Sequence, residues 1–427
     1  MSNMTNREKC LKTLRDSFTF QMSLGSKELF HTNFLQWLSF IDWDKFLEVL
    51  HVLSGINEFW WEKQNCSIET VAGASPMKFC PKNENIEVRR EYHNYDLSIY
   101  ILVGFSNPRK KKNVPQKKWR PVLILENKVK SMPYQEQLDG YARKIYNEWE
   151  SSFPARDRTL HDWNSHGVTA LLLTLFDGIC INSSDIGDSS SLKWEVKNYG
   201  DLSKIVGEKF QQINGKEKEV IDDYRSFIEN LHCLSQTAEW MINESDIYYD
   251  IIKNCSNEEV KLRIADLREK VLYERMLNIL VCKFQKSSVL NNNNEHWSKD
   301  NEYTDDKNKR FKTGIVFYET AFSHGTGAIQ AQIIINNTYR LMIQLQGAQY
   351  RKCVILHKRD KAKMDSICKQ LSLSIWKDYK TTNSFGDSHV YNHFDFKNKE
   401  TVGDVLNKFI IDLETIINNK DKLVKLT

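Results

Sequence analysis

Four aliphatic residues, Val122 to Leu125, run without a break into Glu126, Asn127 and Lys128. An unbroken run of branched aliphatic side chains reads as a strand buried on both faces, so it demands the centre of a sheet rather than its edge. Side chains alternate along a strand, which puts Glu126 and Lys128 on one face. A charge of each sign at the mouth of a hydrophobic core is either a costly ion pair or a working site.

The flanking pattern supplies the rest of a domain. SKELFHTNFLQWLSFI, from Ser26, sets Phe30, Phe34, Trp37 and Leu38 on one helical stripe, with Glu28 in the first turn. IEVRREY (86–92) and DLSIYILV (96–103) are strand candidates, the second with the alternation of a half-buried strand. A proline-broken basic loop, NPRKKKNVPQKKWR, separates them from the opening strand. SMPYQEQLDGYARKIYNEWE reads as a helix opened by Ser131 and Pro133. GVTALLLTLF (167–176) is a second buried strand and LKWEVKNYGDL (192–202) a shorter one. Residues 216–286 carry helical spacing, and the Asn-rich stretch 290–310 is the best linker in the chain. Alternating runs (TGIVFYETAF, AIQAQIIINN, YRLMIQLQG, YRKCVILH) and two further helices follow. The expected fold is therefore α/β with a mixed central sheet in residues 1–215. A helical segment (216–290) and an α+β C-terminal domain (295–427) complete it.

Composition removes several function classes. The net charge of +4 over 427 residues means that any basic patch is local. Nine cysteines with no C-x-x-C pair argue against zinc ribbons, iron–sulfur clusters and disulfide frameworks, and suit a reducing cytoplasm. The first residues mix acids and bases without an apolar core, and VTALLLTLF is too short to span a bilayer, so a cytosolic protein with no membrane partner is expected. There is no G-x-S-x-G and no P-loop.

An antiparallel neighbour would bring Asp96 beside Glu126, and like charges that close repel unless a cation sits between them. Two carboxylates plus a backbone carbonyl make an oxygen site of the kind magnesium or manganese prefers. Lys128 would orient or deprotonate a water and offset charge on a phosphorane. This arrangement resembles the PD-(D/E)XK nuclease superfamily over about residues 26–200, which implies a restriction-endonuclease-like core. On that resemblance Asp96, Glu126 and Lys128 take the two acids and the lysine, and the Asn127 carbonyl is a further metal ligand. Tyr95 stands where the motif has proline. Gln137 and Tyr141, four apart on one helical face, resemble the Q-x-x-x-Y motif of the RecB-like branch, which lines the site and contacts DNA. Glu28 and His31 resemble the N-terminal helix that supplies another acidic group to the metal. The chain is most similar to bacterial nucleases of this superfamily linked to restriction and phage defence, which implies a metal-dependent deoxyribonuclease acting as a defence effector.

Beside such a site, Arg109, Lys110, Lys111, Lys112, Lys117, Lys118 and Arg120, with Trp119 interleaved, suit phosphate contacts. His31, between Phe30 and Phe34, reads as a packed side chain. The E-x-K triplet recurs at Glu195/Lys197, but there it follows the polar stretch GDSSSLKW rather than a buried run. The C-terminal domain lacks clustered acids, so it is expected to serve binding, regulation or assembly, with a second copy or another protein as partner. The alternative, a non-catalytic nucleic-acid-binding or sensor protein on a decayed nuclease core, is opposed by the intact acid–acid–lysine set.

Overall fold

The run Val122 to Leu125 lies in the middle strand of a five-stranded mixed sheet. The computed structural model describes residues 4–23, 27–57, 67–68, 77–78, 86–92, 95–106, 116–129, 135–151, 167–177, 184–187, 190–291, 314–317, 328–336, 338–356, 358–377, 383–384, 388–396 and 399–425. The chain divides into two units, Met1–Gln236 and Thr237–Thr427.

The first unit opens with helices α1 (Asn6–Asp16), α2 (Phe18–Ser23), α3 (Lys27–Ile41) and α4 (Trp43–Ser54). A capping box between Thr5 and Glu8 starts α1, and Asp42 caps α4. Two short strands, β1 (Ser67–Ile68) and β2 (Met77–Lys78), pair with each other. Strands β3 (Ile86–Tyr92), β4 (Tyr95–Ser106) and β5 (Gln116–Lys128) form an antiparallel meander. After helix α5 (Gln135–Ser151) the chain returns as β6 (Thr169–Thr174), parallel to β5. A small hairpin, β7 (Ser184–Gly187) and β8 (Ser190–Leu192), precedes β9 (Trp194–Asn198), which is parallel to β6. Helices α6 (Tyr199–Lys209) and α7 (Lys216–Ser235) complete the unit. The strand order β3-β4-β5-β6-β9 makes β5 the one strand with an antiparallel neighbour on one side and a parallel neighbour on the other.

Alternation along β5 decides what each face meets. Ile124 packs with Leu138, Ala142 and Ile145 of α5, Ala170 and Leu172 of β6, and Trp194 of β9. The three α5 residues recur at i, i+4 and i+7, the apolar stripe of a helix laid on a sheet. Burying each large aliphatic side chain in this layer stabilises the fold by roughly 1.5–3 kcal/mol.

The second unit begins with a 3-10 turn (Ala238–Trp240) and helices α8 (Tyr248–Lys253), α9 (Asn257–Lys261), α10 (Ala265–Lys286) and α11 (Ser288–Asn291). Its antiparallel sheet contains β10 (Gly314–Phe317), β11 (Ile329–Ile334), β12 (Tyr339–Gln346), β13 (Gln349–Leu356), β14 (Asn383–Ser384) and β15 (His389–Asp395). The strand order is β10-β11-β12-β13-β15-β14. Helix α12 (Lys361–Ser374) lies between β13 and β14 in sequence, and α13 (Val402–Asn418) and α14 (Lys420–Val424) follow β15. Ile329, Ala331, Ile333, Leu341, Ile343 and Leu345 alternate toward one buried face and share a core with α10 and α13.

Several expectations are corrected. Strand β5 starts at Gln116, so Lys117, Lys118 and Arg120 are strand residues rather than loop residues. The segment 192–202 is a strand only to Asn198 and then a helix, because Asn198 and Asp201 form a capping box. Residues 216–290 are not a separate helical part: α7 belongs to the first unit and α8–α11 to the second. Ser131, Pro133 and most of the 290–310 stretch lie outside the described residues. No helix among the described residues is long and apolar enough to cross a membrane.

Candidate active site

The pairing of Leu97 with Leu125, carried one residue further, sets Asp96 beside Glu126 at the end of β5. Asp96 Oδ2 accepts the Asn127 backbone N–H at 2.6 Å. Glu126 and Lys128 share the face covered by α5, and Lys128 Nζ lies 2.7 Å from Glu126 Oε1. Both side chains are almost wholly buried, 7% and 3% exposed. From α5, Gln137 Nε2 donates to Glu126 Oε1 at 3.1 Å and to Tyr141 Oη at 2.6 Å. The Tyr141 ring meets Tyr95 edge-on, with centroids 5.4 Å apart. The structure thus brings Asp96, Glu126, Lys128, Gln137 and Tyr141 together.

Asn127 points to the opposite face, where its side chain bridges two helices. Its Nδ2 donates to the Glu28 carbonyl at 3.0 Å, and its Oδ1 accepts the Tyr199 hydroxyl. Glu28, in the first turn of α3, lies near enough for its charge to act on Asp96, Glu126 and Lys128. His31 is fully buried with Nδ1 3.0 Å from Tyr224 Oη, a packed ring as expected.

Burial dominates the electrostatics. It pushes the Asp96 carboxyl up to about 6, against the Asn127 amide and Lys128, with Glu28 adding to the rise. Burial pushes Glu126 up to about 8, partly offset by Lys128 and reinforced by Asp96 and Glu28. For Lys128, burial alone would lower the ammonium, but Glu126, Glu28 and Asp96 outweigh it and hold the group above its ordinary value. The Tyr141 phenol rises to about 12 through burial and the Glu126 charge. One atom stands out: Glu126 Oε2 is buried and has no hydrogen-bond partner. A buried carboxylate oxygen without a partner is costly unless something electropositive reaches it.

That donor set fits a hard divalent cation. Among the described residues no three His, Cys, Asp or Glu side chains converge as a ready-made metal cage. Two carboxylates and a carbonyl are enough for magnesium, which keeps several waters and takes substrate oxygens as ligands.

The expected phosphate-binding residues fare differently. Arg109, Lys110, Lys111 and Lys112 lie outside the described residues. Lys117 and Lys118 stand in β5 opposite Phe105 and Gly104. Arg120 is 2% exposed and pairs with Ile101 inside the sheet, so a phosphate contact from its side chain is not supported. A cation that sequence reasoning missed, Arg89, stacks over Tyr100 and Trp119, at 4.2 and 5.4 Å from the ring centroids. Tyr199 was also missed, since its partner is distant in sequence; the N-x-x-D cap would have placed it at a helix start. The second E-x-K triplet stands apart: Glu195 pairs with exposed Lys193 at 2.6 Å. Comparison of the chain with models of known families, with curated proteins and with solved structures finds no match.

Proposed function

We propose that this protein is a metal-dependent nuclease of the PD-(D/E)XK kind, with DNA the favoured substrate and a restriction-endonuclease-like core in the first unit. The observation that carries the reading is the buried Glu126 Oε2 that no protein donor satisfies, on a residue set beside Asp96 by the strand register, with Lys128 Nζ fixed 2.7 Å from the other oxygen. A cluster built only for stability would satisfy that oxygen or leave it in water. Asp96, Glu126 and the Asn127 carbonyl would hold Mg2+ (or Mn2+), with Glu28 behind them. When bound, such an ion would supply positive charge at the scissile phosphate and lower the pKa of a water.

The chain's own residues divide the remaining work. Gln137 engages Glu126 Oε1, which keeps Oε2 clear of a protein donor and would let Glu126 serve as a metal ligand. Lys128, fixed 2.7 Å from Glu126 Oε1, is placed to orient or deprotonate the attacking water and to offset phosphorane charge. The resemblance to defence-linked nucleases makes a cytoplasmic antiphage effector the biological reading. The second unit then serves binding, regulation or assembly, through another protein or a second copy.

Incubating the purified protein with plasmid and linear DNA tests the proposal. Cleavage with Mg2+ that stops with EDTA is expected. Binding of DNA without cleavage in either Mg2+ or Mn2+ would instead favour the non-catalytic nucleic-acid-binding reading.

A further inference from the structure

Behind the carboxylate pair lies a layer of buried polar aromatic side chains to which the proposed chemistry assigns no task. Tyr199, the first residue of α6, is completely buried and donates its hydroxyl proton to Asn127 Oδ1. Asn127 in turn donates from Nδ2 to the Glu28 carbonyl at 3.0 Å and from its backbone to Asp96 Oδ2 at 2.6 Å. One residue thereby ties α6, α3 and β4 to the last turn of β5. The His31 ring packs against Tyr199 with centroids 4.9 Å apart, and His31 itself meets Tyr224. Burial, with Tyr224, Glu28 and Asp96 nearby, holds the Tyr199 phenol well above its usual value, so it stays a donor across the physiological range.

The site needs such a tie. Glu126 to Lys128 are the final residues of β5, paired with Leu172 to Thr174 of β6 but beyond Leu125, the last residue in register with β4. Asp96 and Glu126 stand on adjacent strands, and Asp96 Oδ2 is tied to β5 through the Asn127 backbone N–H. Catalytic groups must be held to within about 0.5 Å by their surroundings.

We infer that Tyr199 is a positioning residue for this site: its hydroxyl fixes Asn127 and, through it, the separation between Asp96 and the Glu126–Lys128 pair. The inference rests on the nuclease reading above. Supporting residues of this kind typically change metal affinity or activity by about 10–100-fold when lost.

The test uses the full chain and Mn2+ as the probe. Tyr199→Phe removes the hydroxyl and keeps the ring; Tyr224→Phe is the matched control, losing a buried hydroxyl from the same aromatic layer without touching Asn127. Tyr199→Phe should raise the calorimetric Kd for Mn2+ roughly tenfold and lower kcat roughly tenfold, with KM for DNA unchanged. Tyr224→Phe should stay within about twofold of wild type on all three. Asn127→Ala breaks the same bond from the other partner and should give the same losses, so a poorly folding Tyr199 variant does not end the test. Tyr199→Phe or Asn127→Ala matching the control in Mn2+ affinity and kcat overturns the inference while wild type still binds and cuts. Wild type that neither binds Mn2+ nor cleaves overturns the nuclease reading itself, and this inference with it.

Discussion

Lys128 and Lys197 close two E-x-K triplets of the same spelling, yet only the first ends the strand at the centre of the sheet. Lys128→Ala leaves both carboxylates in place, so calorimetric metal binding should persist while the cleavage rate falls on the order of a hundredfold. Lys197→Ala should cut nearly as fast as wild type; the reverse result would mean that the wrong strand carries the chemistry. Asp96 yields a second test, this time of stability. Its folded value of about 6 lies above the ordinary carboxyl value of 3.8, so the folded state holds its proton more tightly than the unfolded chain. Stability from that proton is complete below pH 3.8, is lost as pH rises to about 6, and stays lost above. Asp96→Asn should therefore stabilise the metal-free protein above pH 6 by as much as about 3 kcal/mol, and give no gain below pH 4. Thermal melts at pH 4 and pH 8 measure it, and a gain confined to pH 4 would contradict the burial argument.

At the scale of elements, α5 carries stability and chemistry on neighbouring stripes of the one face it lays on the sheet. Ile145 belongs to the layer under the sheet, so Ile145→Ala should lose about 2–5 kcal/mol in a denaturant titration. Gln137→Ala removes the hydrogen bonds to Glu126 and Tyr141 and leaves the apolar stripe intact, so it should lower cleavage at nearly unchanged stability. Equal damage to both properties in both variants would show that the helix acts as one structural piece. The same division explains what was legible beforehand. Apolar runs, alternation and helical stripes depend on the period of the chain alone, and β4, β5, β6 and α5 were readable from them. β15 was not: His389 to Asp395 mixes polar and aromatic residues with no clear alternation and is fixed by pairing with β13. The acid–acid–lysine set was visible because a buried strand cannot end in opposite charges without a reason. The Tyr199–Asn127 bond joins residues 72 apart in sequence, and no local pattern announces it.

For the whole molecule, the division falls after α7 rather than before it. Ile221, Tyr224, Phe227, Ile228, Leu231 and Leu234 of that helix are buried within the first unit. A fragment of residues 1–236 should fold and keep metal-dependent cleavage. A fragment ending at residue 215 exposes the surfaces of α1, α2 and α6 that α7 covers, and it should aggregate. Circular dichroism and size-exclusion chromatography compare the two, and a soluble, active shorter fragment would move the boundary back. Each unit is also one uninterrupted stretch of chain, the first wholly before the second. A ribosome adding about 5–20 residues per second needs roughly ten to forty seconds to make residues 237–427 after the first unit is finished. Through that interval the carboxylate site exists without any restraint the second unit brings. On the nuclease proposal, every nascent chain thus passes through a stage in which the site exists before the second unit does, and slow codons placed after residue 236 would lengthen that stage.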